Sequence, residues 1–124
     1  MLHEGVHRIE INDVDHWVRV SSSGPDPIVL VHGGPGANAS MLEGSVGPHL
    51  AAHMPVVYYD QRGCGRSGPA SSYSMAELVA DLDGLRSSLG VSRLRLAGFS
   101  FGGQLVAEYA VAHPDRVAGM VLVA

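Results

Sequence analysis

The feature that most constrains this chain is the pentapeptide GFSFG at residues 98–102, which follows a strand-like run and opens a helix-like one. In a G-x-S-x-G turn the small flanking residues let the backbone bend sharply and pass close to neighbouring chain, so the serine is raised on a tight turn. Such a turn needs a buried strand before it and a packed helix after it. The pentapeptide therefore predicts a sheet with helices packed on it.

Six segments have the composition of β-strands. Two of them are short, uninterrupted and β-branched, as in strands that are buried on both faces of a parallel sheet. The two N-terminal segments are separated by the turn-prone pair Asn12-Asp13, and the second alternates in the half-buried manner, which predicts Trp17 and Arg19 on one face. The predicted strands are Val6–Ile11, His16–Val20, Ile28–Val31, Val56–Tyr59, Arg93–Ala97 and Val117–Val123.

Helices fill the gaps between the later strands. Ser74 and Glu77 have the spacing of a capping box, and apolar residues then recur at helical spacing until Gly90, which is placed to end the helix. The other predicted helices are Gly102–His113 and a weaker one, interrupted by a proline, at Ser45–His53. Buried strands that alternate with helices predict an α/β fold of three layers, α/β/α, around a mostly parallel sheet.

Composition limits the partners of the chain. Its 124 residues fit one domain, and 46% hydrophobic with 16% charged residues is typical of a packed globule. A net charge of −4 leaves no basic stripe for nucleic acid or an anionic membrane. The N-terminus lacks the pattern of a secretory signal, and the single cysteine, Cys64, cannot form an internal disulfide. We therefore expect a cytoplasmic protein with no nucleic-acid or membrane partner.

Three glycine-bearing loops follow predicted buried strands. They are HGGPG at residues 32–36, DQRGCGRS at residues 60–67, and the turn that begins at Gly98. In an open α/β sheet, ligands bind beyond the carboxyl ends of the strands, so all three loops are expected at the edge where ligands bind.

The turn and the first loop together contain the parts of an acyl-transfer site. Ser100 is the candidate nucleophile, because it precedes the positive end of a helix where backbone donors face a developing oxyanion. The N–H of Phe101 would supply one donor and the N–H of Gly34 a second. The alternative for the first loop is a structural turn in which Pro35 sets the backbone angle.

Two further residue groups are interpreted as structural. His32 is expected to brace the first loop rather than act as a base, because it lies at a strand end beside the oxyanion donors. In the second loop Asp60 and Arg62 are expected to pair across the turn, and Cys64 is expected to be inert.

At these residues the chain resembles the α/β-hydrolase superfamily, and within it the proline iminopeptidase-like branch. The strings at residues 32–36 and 60–67 are typical of that branch, and the stretch from Tyr109 to Val123 resembles the segment that follows its nucleophile. The branch usually has glycine before the nucleophile and often tryptophan after it, where this chain has Phe99 and Phe101. The resemblance to the superfamily is therefore closer than the resemblance to the aminopeptidases.

The resemblance implies a mechanism in which Ser100 attacks an ester or amide carbonyl and water then cleaves the acyl-enzyme. Gly33, Pro35 and Phe99 are then expected beside the substrate, and no metal or organic cofactor is required. An aspartate in place of Ser100 would instead have indicated dehalogenase or epoxide hydrolase chemistry. An N-terminal prolyl peptide is the leading substrate, and small esters, other amides and C–C-bonded diketones stay open.

The superfamily places the catalytic acid and then the histidine after the serine. One helix and one strand occupy the residues after Ser100, and neither His113 nor the nearby acids match those positions. We therefore expect residues 1–124 to form one partial domain, the N-terminal half of a hydrolase without its lid and last strands. The acid and base would come from a missing segment or companion chain, and a companion chain or second copy would cover the edge at Val117–Val123. The alternatives are a non-catalytic binding or scaffold module and an inactive truncated fragment.

Overall fold

The computed structural model describes residues 2–124. Within them six strands and four α-helices alternate along most of the chain. The strands are β1 (Gly5–Ile11), β2 (Val14–Val20), β3 (Ile28–Val31), β4 (Val56–Tyr59), β5 (Leu94–Phe99) and β6 (Val117–Val123). The helices are α1 (Ser40–Glu43), α2 (Val46–Ala51), α3 (Met75–Leu89) and α4 (Phe101–Ala112), and a 3-10 turn at Pro114–Arg116 precedes β6.

The strands form one sheet in the order β1-β2-β4-β3-β5-β6. β3, β4, β5 and β6 are parallel, whereas the N-terminal hairpin pairs antiparallel with β4. Asn12 and Asp13 both adopt positive φ angles in the hairpin turn, which suits the right-handed twist of the two strands. β3 and β5 are neighbours, and Val31 pairs with Gly98. The loop after β3 and the serine turn after β5 therefore lie side by side.

Successive residues of the central strands face two different cores. Val29 and Val31 pack with apolar side chains of α3 and α4, whereas Leu30 packs on the other face with α1 and α2. Leu82 of α3 and Leu105 of α4 are fully buried, and burial of a leucine side chain stabilises a fold by about 1.5–3 kcal/mol. The predicted three-layer α/β/α arrangement with a mostly parallel sheet is confirmed.

Several local predictions are confirmed residue by residue. β3, β4 and β6 have the predicted bounds. Helix α3 begins with the predicted capping box, in which the Ser74 hydroxyl accepts a hydrogen bond from the Glu77 N–H and Glu77 accepts one from the Ser74 N–H. The helix ends at Gly90. These features depend on neighbours in sequence, which is why a local pattern specifies them.

Two local predictions need correction. The helix predicted at residues 45–53 is present as α2 but is shorter, and Pro48 does not interrupt it, because it lies in the first turn, where its missing N–H has no helical partner to lose. The short helix α1 before it was not predicted. The half-buried alternation of β2 fails at Trp17, which is buried although Arg19 is exposed. The guanidinium of Arg66 stacks 3.4 Å from the centre of the Trp17 ring and covers it.

The last strand of the sheet is the most exposed of the six strands. β6 pairs with β5 on one side, and within residues 2–124 no strand pairs with its other side. Its side chains from Met120 to Val123 are 42–57% exposed. In the part of the chain that the structure describes, no helix is both long and apolar enough to cross a membrane.

Candidate active site

Ser100 stands at the junction of β5 and α4 in a backbone conformation that is rare for any residue except glycine. Its φ is 56° and its ψ is −119°. Such a conformation costs on the order of 1–3 kcal/mol and persists only where surrounding contacts hold it. Here the Ser100 N–H donates to the carbonyl of Val123 at 2.7 Å, and the Ser100 carbonyl accepts from the Gly103 N–H at 2.8 Å. The side chain is exposed at the sheet edge.

The two glycines of the pentapeptide allow this turn because they remove side chains from a crowded backbone crossing. A Cβ on Gly98 would lie 2.5 Å from the carbonyl oxygen of Gly102. A Cβ on Gly102 would overlap the carbonyl oxygen of Val31 on β3. Both contacts exclude any larger residue, so the chain must carry glycine at both positions for α4 to pack on the sheet.

The loop after β3 lies directly against the serine turn. A Cβ on Gly33 would be 2.9 Å from the Phe99 carbonyl oxygen and 3.3 Å from the Cβ of Ser100. Gly34 is exposed beside it. Among residues 2–124, neither the N–H of Gly34 nor that of Phe101 donates a hydrogen bond to the protein. The structure thus brings two backbone donors that have no partner in the described chain to the edge where Ser100 stands.

Two cavities flank these residues. The smaller, about 230 Å³, includes Ser100 in its wall together with Gly33, Gly34 and Phe99. The larger, about 480 Å³, has Pro35 and Phe101 in its wall. Most of the surface of both walls is apolar. All six residues singled out from the sequence therefore line these two neighbouring cavities.

His32 is buried behind the first loop and forms no hydrogen bond with the serine. Both of its ring nitrogens are engaged by backbone, Nδ1 with the Gly33 carbonyl oxygen at 2.8 Å and Nε2 with the Gln61 N–H at 3.0 Å. Burial lowers the pKa of His32, although the nearby Gly33 carbonyl and Asp60 act in the opposite direction. These contacts fit the bracing role that the sequence indicated. Gln61 was missed, because an uncharged side chain in a charged loop carries no local sign of its partner.

The pairing expected between Asp60 and Arg62 is wrong. Asp60 instead receives two hydrogen bonds from the Arg66 guanidinium, at 2.8 and 3.1 Å, and one from the Ala39 N–H at 2.8 Å. Arg62 turns to α3, where its Nε lies 2.7 Å from Asp81. Asp60 therefore pairs with Arg66 of the same loop, and Arg62 pairs with Asp81 on α3.

Asp81 is a buried carboxylate that sequence reasoning did not single out. Burial opposes its ionisation, but the nearby His16 ring and the hydrogen bonds from Arg62 and Asn12 outweigh that cost and hold the pKa of its carboxyl below the ordinary value. The His16 Nε2 lies 3.4 Å from it. Arg62 also pairs with Glu77, which lies four residues before Asp81. This helical spacing, which puts both carboxylates on one face of α3, is the only indication of the pair in the sequence.

Cys64 lies in the wall of the larger cavity. Burial raises the pKa of its thiol, with a smaller effect in the same direction from Asp60, so the thiol is protonated at neutral pH. This fits the expectation that Cys64 is inert.

No catalytic base contacts the serine in the described chain. Over residues 2–124 no side chain hydrogen-bonds the Ser100 hydroxyl. α4 has 12 residues, which at about 1.5 Å per residue puts His113 roughly 18 Å away. No three histidine, cysteine or acidic side chains of the described residues are grouped as metal ligands. The described site therefore contains a serine and two donors, without a base.

Comparison with known proteins identifies the fold. Residues 26–124 match the model of the alpha/beta hydrolase fold family. The chain belongs to that family. A relative of this α/β hydrolase is the proline iminopeptidase of Neisseria gonorrhoeae, which is 38% identical over 120 aligned residues. The alignment covers 92% of this chain and 38% of the relative. The α/β-hydrolase chain thus spans less than half the length of the relative it matches.

Solved α/β hydrolases superpose closely on the chain. A proline iminopeptidase-related protein from Thermus thermophilus has a TM-score of 0.86 and 30% identity, with 98% of this chain and 44% of that chain covered. An epoxide hydrolase mutant from Vigna radiata has a TM-score of 0.84 and 25% identity, with 96% and 38% covered. Hydrolases of different chemistry share this half of the α/β-hydrolase fold, so the fold leaves the reaction open.

Proposed function

We propose that this chain carries the nucleophile and the oxyanion hole of a serine hydrolase. The observation that carries the proposal is the strained Ser100 beside two backbone N–H groups, of Gly34 and Phe101, that have no partner within residues 2–124. A backbone that only needed to turn would gain by pairing such donors and by relaxing the serine. A site that stabilises a developing negative charge needs both features.

In the proposed reaction the Ser100 hydroxyl attacks a carbonyl carbon, and its proton passes to a general base as the bond forms. The negative oxygen of the tetrahedral intermediate accepts hydrogen bonds from Gly34 and Phe101, and the leaving group departs with a proton. Water then attacks the acyl-enzyme by the same route and frees Ser100. The base and its orienting acid are histidine and carboxylate residues outside residues 1–124, supplied by a further segment or a companion chain.

The proposed substrate is an amide or ester, with an N-terminal prolyl peptide first among the candidates. Two observations support this choice. Relatives that match 92% of this chain are named proline iminopeptidases, and the two cavities beside Ser100 have predominantly apolar walls. An apolar wall suits the uncharged ring of proline.

The exposed edge of β6 is proposed to pair with more polypeptide. A strand with four neighbouring apolar side chains and an unpaired backbone edge attracts other strands and promotes aggregation when uncovered. A further strand at this edge would also stabilise the serine turn, because the Val123 carbonyl at the end of β6 accepts a hydrogen bond from the Ser100 N–H. A monodisperse 124-residue monomer in sedimentation, with rapid amide exchange along β6, would contradict this part of the proposal.

The proposed reaction is tested by labelling with a fluorophosphonate, which phosphonylates activated serines. The probe is applied to the 124-residue chain alone and to the chain together with the polypeptide that its coding sequence continues into or adjoins. We expect weak labelling alone, rapid labelling in the complemented form, and no labelling of the Ser100→Ala variant. Absence of labelling in the complemented form would overturn the hydrolase proposal and favour a non-catalytic module.

A further inference from the structure

The side chain of His32 is held in one tautomer by partners whose roles are fixed. Its Nδ1 faces a backbone carbonyl, that of Gly33, which can only accept, so Nδ1 carries the proton. Its Nε2 faces a backbone N–H, that of Gln61, which can only donate, so Nε2 is bare. His32 is therefore a neutral imidazole protonated at Nδ1, and both hydrogen bonds require that form.

The first of these bonds acts on the peptide unit that carries the oxyanion donor. The Gly33 carbonyl and the Gly34 N–H belong to one planar peptide group, and this group is trans. In a trans peptide the C=O and N–H bonds point in opposite directions. Fixing the Gly33 oxygen on the His32 side therefore fixes the Gly34 N–H on the opposite side. Without this bond the Gly33–Gly34 peptide is free to rotate, because glycine places no side chain in its way.

Gln61 locks the histidine in turn. Its backbone N–H donates to His32 Nε2 at 3.0 Å, and its side-chain Nε2 donates to the His32 carbonyl oxygen at 2.8 Å. Both residues are almost fully buried, at 1% and 3% exposed. The ends of β3 and β4 are thus joined by a reciprocal pair of bonds that holds both the backbone and the ring of His32.

We propose that neutral His32 and Gln61 are positioning residues that hold the Gly34 N–H in place for the oxyanion. The inference rests on the proposed function, since a positioned donor matters only if Ser100 forms an oxyanion. It adds to that function a requirement on the protonation state of a residue that does not touch the substrate.

The position of the Gly34 N–H is therefore expected to depend on pH. The charged groups that face His32 are Asp60 and Arg66 on the loop after β4, and the ring of Tyr59 lies 6.5 Å away. Protonation at Nε2 would point a second donor at the Gln61 N–H and break that bond. The loop after β3 then loses the hydrogen bond that joins the His32 ring to Gln61. Because burial already lowers the pKa of His32, this loss is expected only on the acid side of the ordinary histidine range.

Two substitutions separate the two ring nitrogens. In His32→Asn the amide nitrogen can replace Nδ1 as donor to the Gly33 carbonyl, and the Gln61 N–H loses its acceptor. In His32→Gln the amide oxygen can replace Nε2 as acceptor, and the Gly33 carbonyl loses its donor. Neither side chain titrates. A misplacement of about 1 Å in a catalytic group costs about 100-fold in rate, so we expect His32→Gln to be slowed by about that factor and His32→Asn by less.

The experiment measures the rate of fluorophosphonate labelling of Ser100 in the complemented protein from pH 5 to 8, resolved into a saturating rate and a probe affinity. We expect the saturating rate to fall in the order wild type, His32→Asn, His32→Gln, with unchanged probe affinity. The saturating rate of the wild type should decline on the acid side, and this decline should be smaller in both variants. Gln61→Met, of similar size, removes the bond to the His32 carbonyl and should also lower the saturating rate. Nitrogen-15 spectra of labelled histidine are expected to show His32 protonated at Nδ1.

Each result decides a different point. If the wild type is labelled and the two His32 variants react at the same rate as each other, the positioning role is overturned and the hydrolase proposal stands. An Nε2–H signal for His32 would have the same consequence. Absence of labelling in the wild type would overturn both. A larger loss in His32→Asn than in His32→Gln would also overturn the positioning role, because the bond to the Gly33 carbonyl would then not be the one that matters.

Discussion

The loop after β3 and the loop after β4 leave the same edge of the sheet, yet they treat their polar groups in opposite ways. In the first, at residues 32–36, the Gly34 N–H has no partner among the described residues. In the second, at residues 60–67, Asp60, Arg62 and Arg66 all have partners. Buried charges without partners are expensive, whereas an exposed N–H remains available to a ligand. The difference teaches that one loop is built to stabilise the fold, and it supports the proposal that the other binds a ligand.

The largest expected effect concerns the serine turn beside the first loop. Ser100→Ala should abolish fluorophosphonate labelling of the complemented protein, because the variant has no nucleophile. Ser71→Ala, at an exposed serine in a different loop, is the matched control and should label as the wild type does. Labelling of the Ser100→Ala variant at the wild-type rate would show that another residue reacts, and the distinction between the two loops would fail.

The second prediction removes a charge from the second loop. Arg62→Met leaves Asp81, which is 2% exposed, without its guanidinium partner. Loss of one member of a buried ion pair costs about 3–5 kcal/mol, and we expect that loss in the free energy of unfolding measured with urea.

The control is Arg19→Met, which breaks an ion pair between Glu43 and an arginine that is 46% exposed. Exposed pairs contribute about 0–1 kcal/mol, so this variant should unfold near the wild-type midpoint. The double variant Arg62→Met/Asp81→Leu should recover part of the lost stability, because it also removes the buried carboxylate that Arg62→Met leaves without its arginine. Equal losses in Arg62→Met and Arg19→Met would contradict the structural role of the second loop.

The third prediction relaxes the strain of the serine turn. Ser100→Gly should raise the free energy of unfolding by about 1–3 kcal/mol, because glycine adopts a φ of 56° without the cost that serine bears. Ser100→Ala is the matched control: it also removes the hydroxyl but keeps the Cβ, so it should remain near the wild type. If both variants gain the same stability, the gain comes from the hydroxyl and the turn is not strained.

The smallest expected effect is on acid stability, where Asp83 of α3 binds Tyr109 near the end of α4 that lies away from Ser100. Burial opposes ionisation of Asp83, but hydrogen bonds from Arg86, Tyr109 and Arg116 outweigh it and lower its pKa to about 2 from the ordinary 3.8. Between these values the unfolded chain binds more protons than the folded chain. This contribution to stability is therefore full above about pH 4 and is lost as the pH falls toward 2.

We expect the difference in melting temperature between the wild type and Asp83→Asn to shrink over that window. Asp115→Asn, at an exposed aspartate on the 3-10 turn, should show no such change. A difference that stays constant across the same acid range would assign the effect of Asp83→Asn to packing rather than to charge.

The amino-acid sequence by itself determined the elements that depend on near neighbours. The bounds of β3, β4 and β6, the capping box of α3 and the glycines of the serine turn all follow from residue types at fixed short spacings. The position of Ser100 between a strand and a helix was predictable as well, because the pentapeptide lies between a strand-like run and a helix-like run. The edge of the sheet that carries the three loops was also predictable, since parallel strands end together.

Only the tertiary structure decided which polar groups meet. Asp60 had two arginines within reach in sequence, and it binds Arg66 because the fold turns Arg62 toward Asp81 on α3. The tautomer of His32 likewise depends on Gln61, which lies on a different strand end. Hydrogen bonds and ion pairs act over about 3 Å and between any compatible partners, so a sequence permits many pairings and the packed backbone selects one.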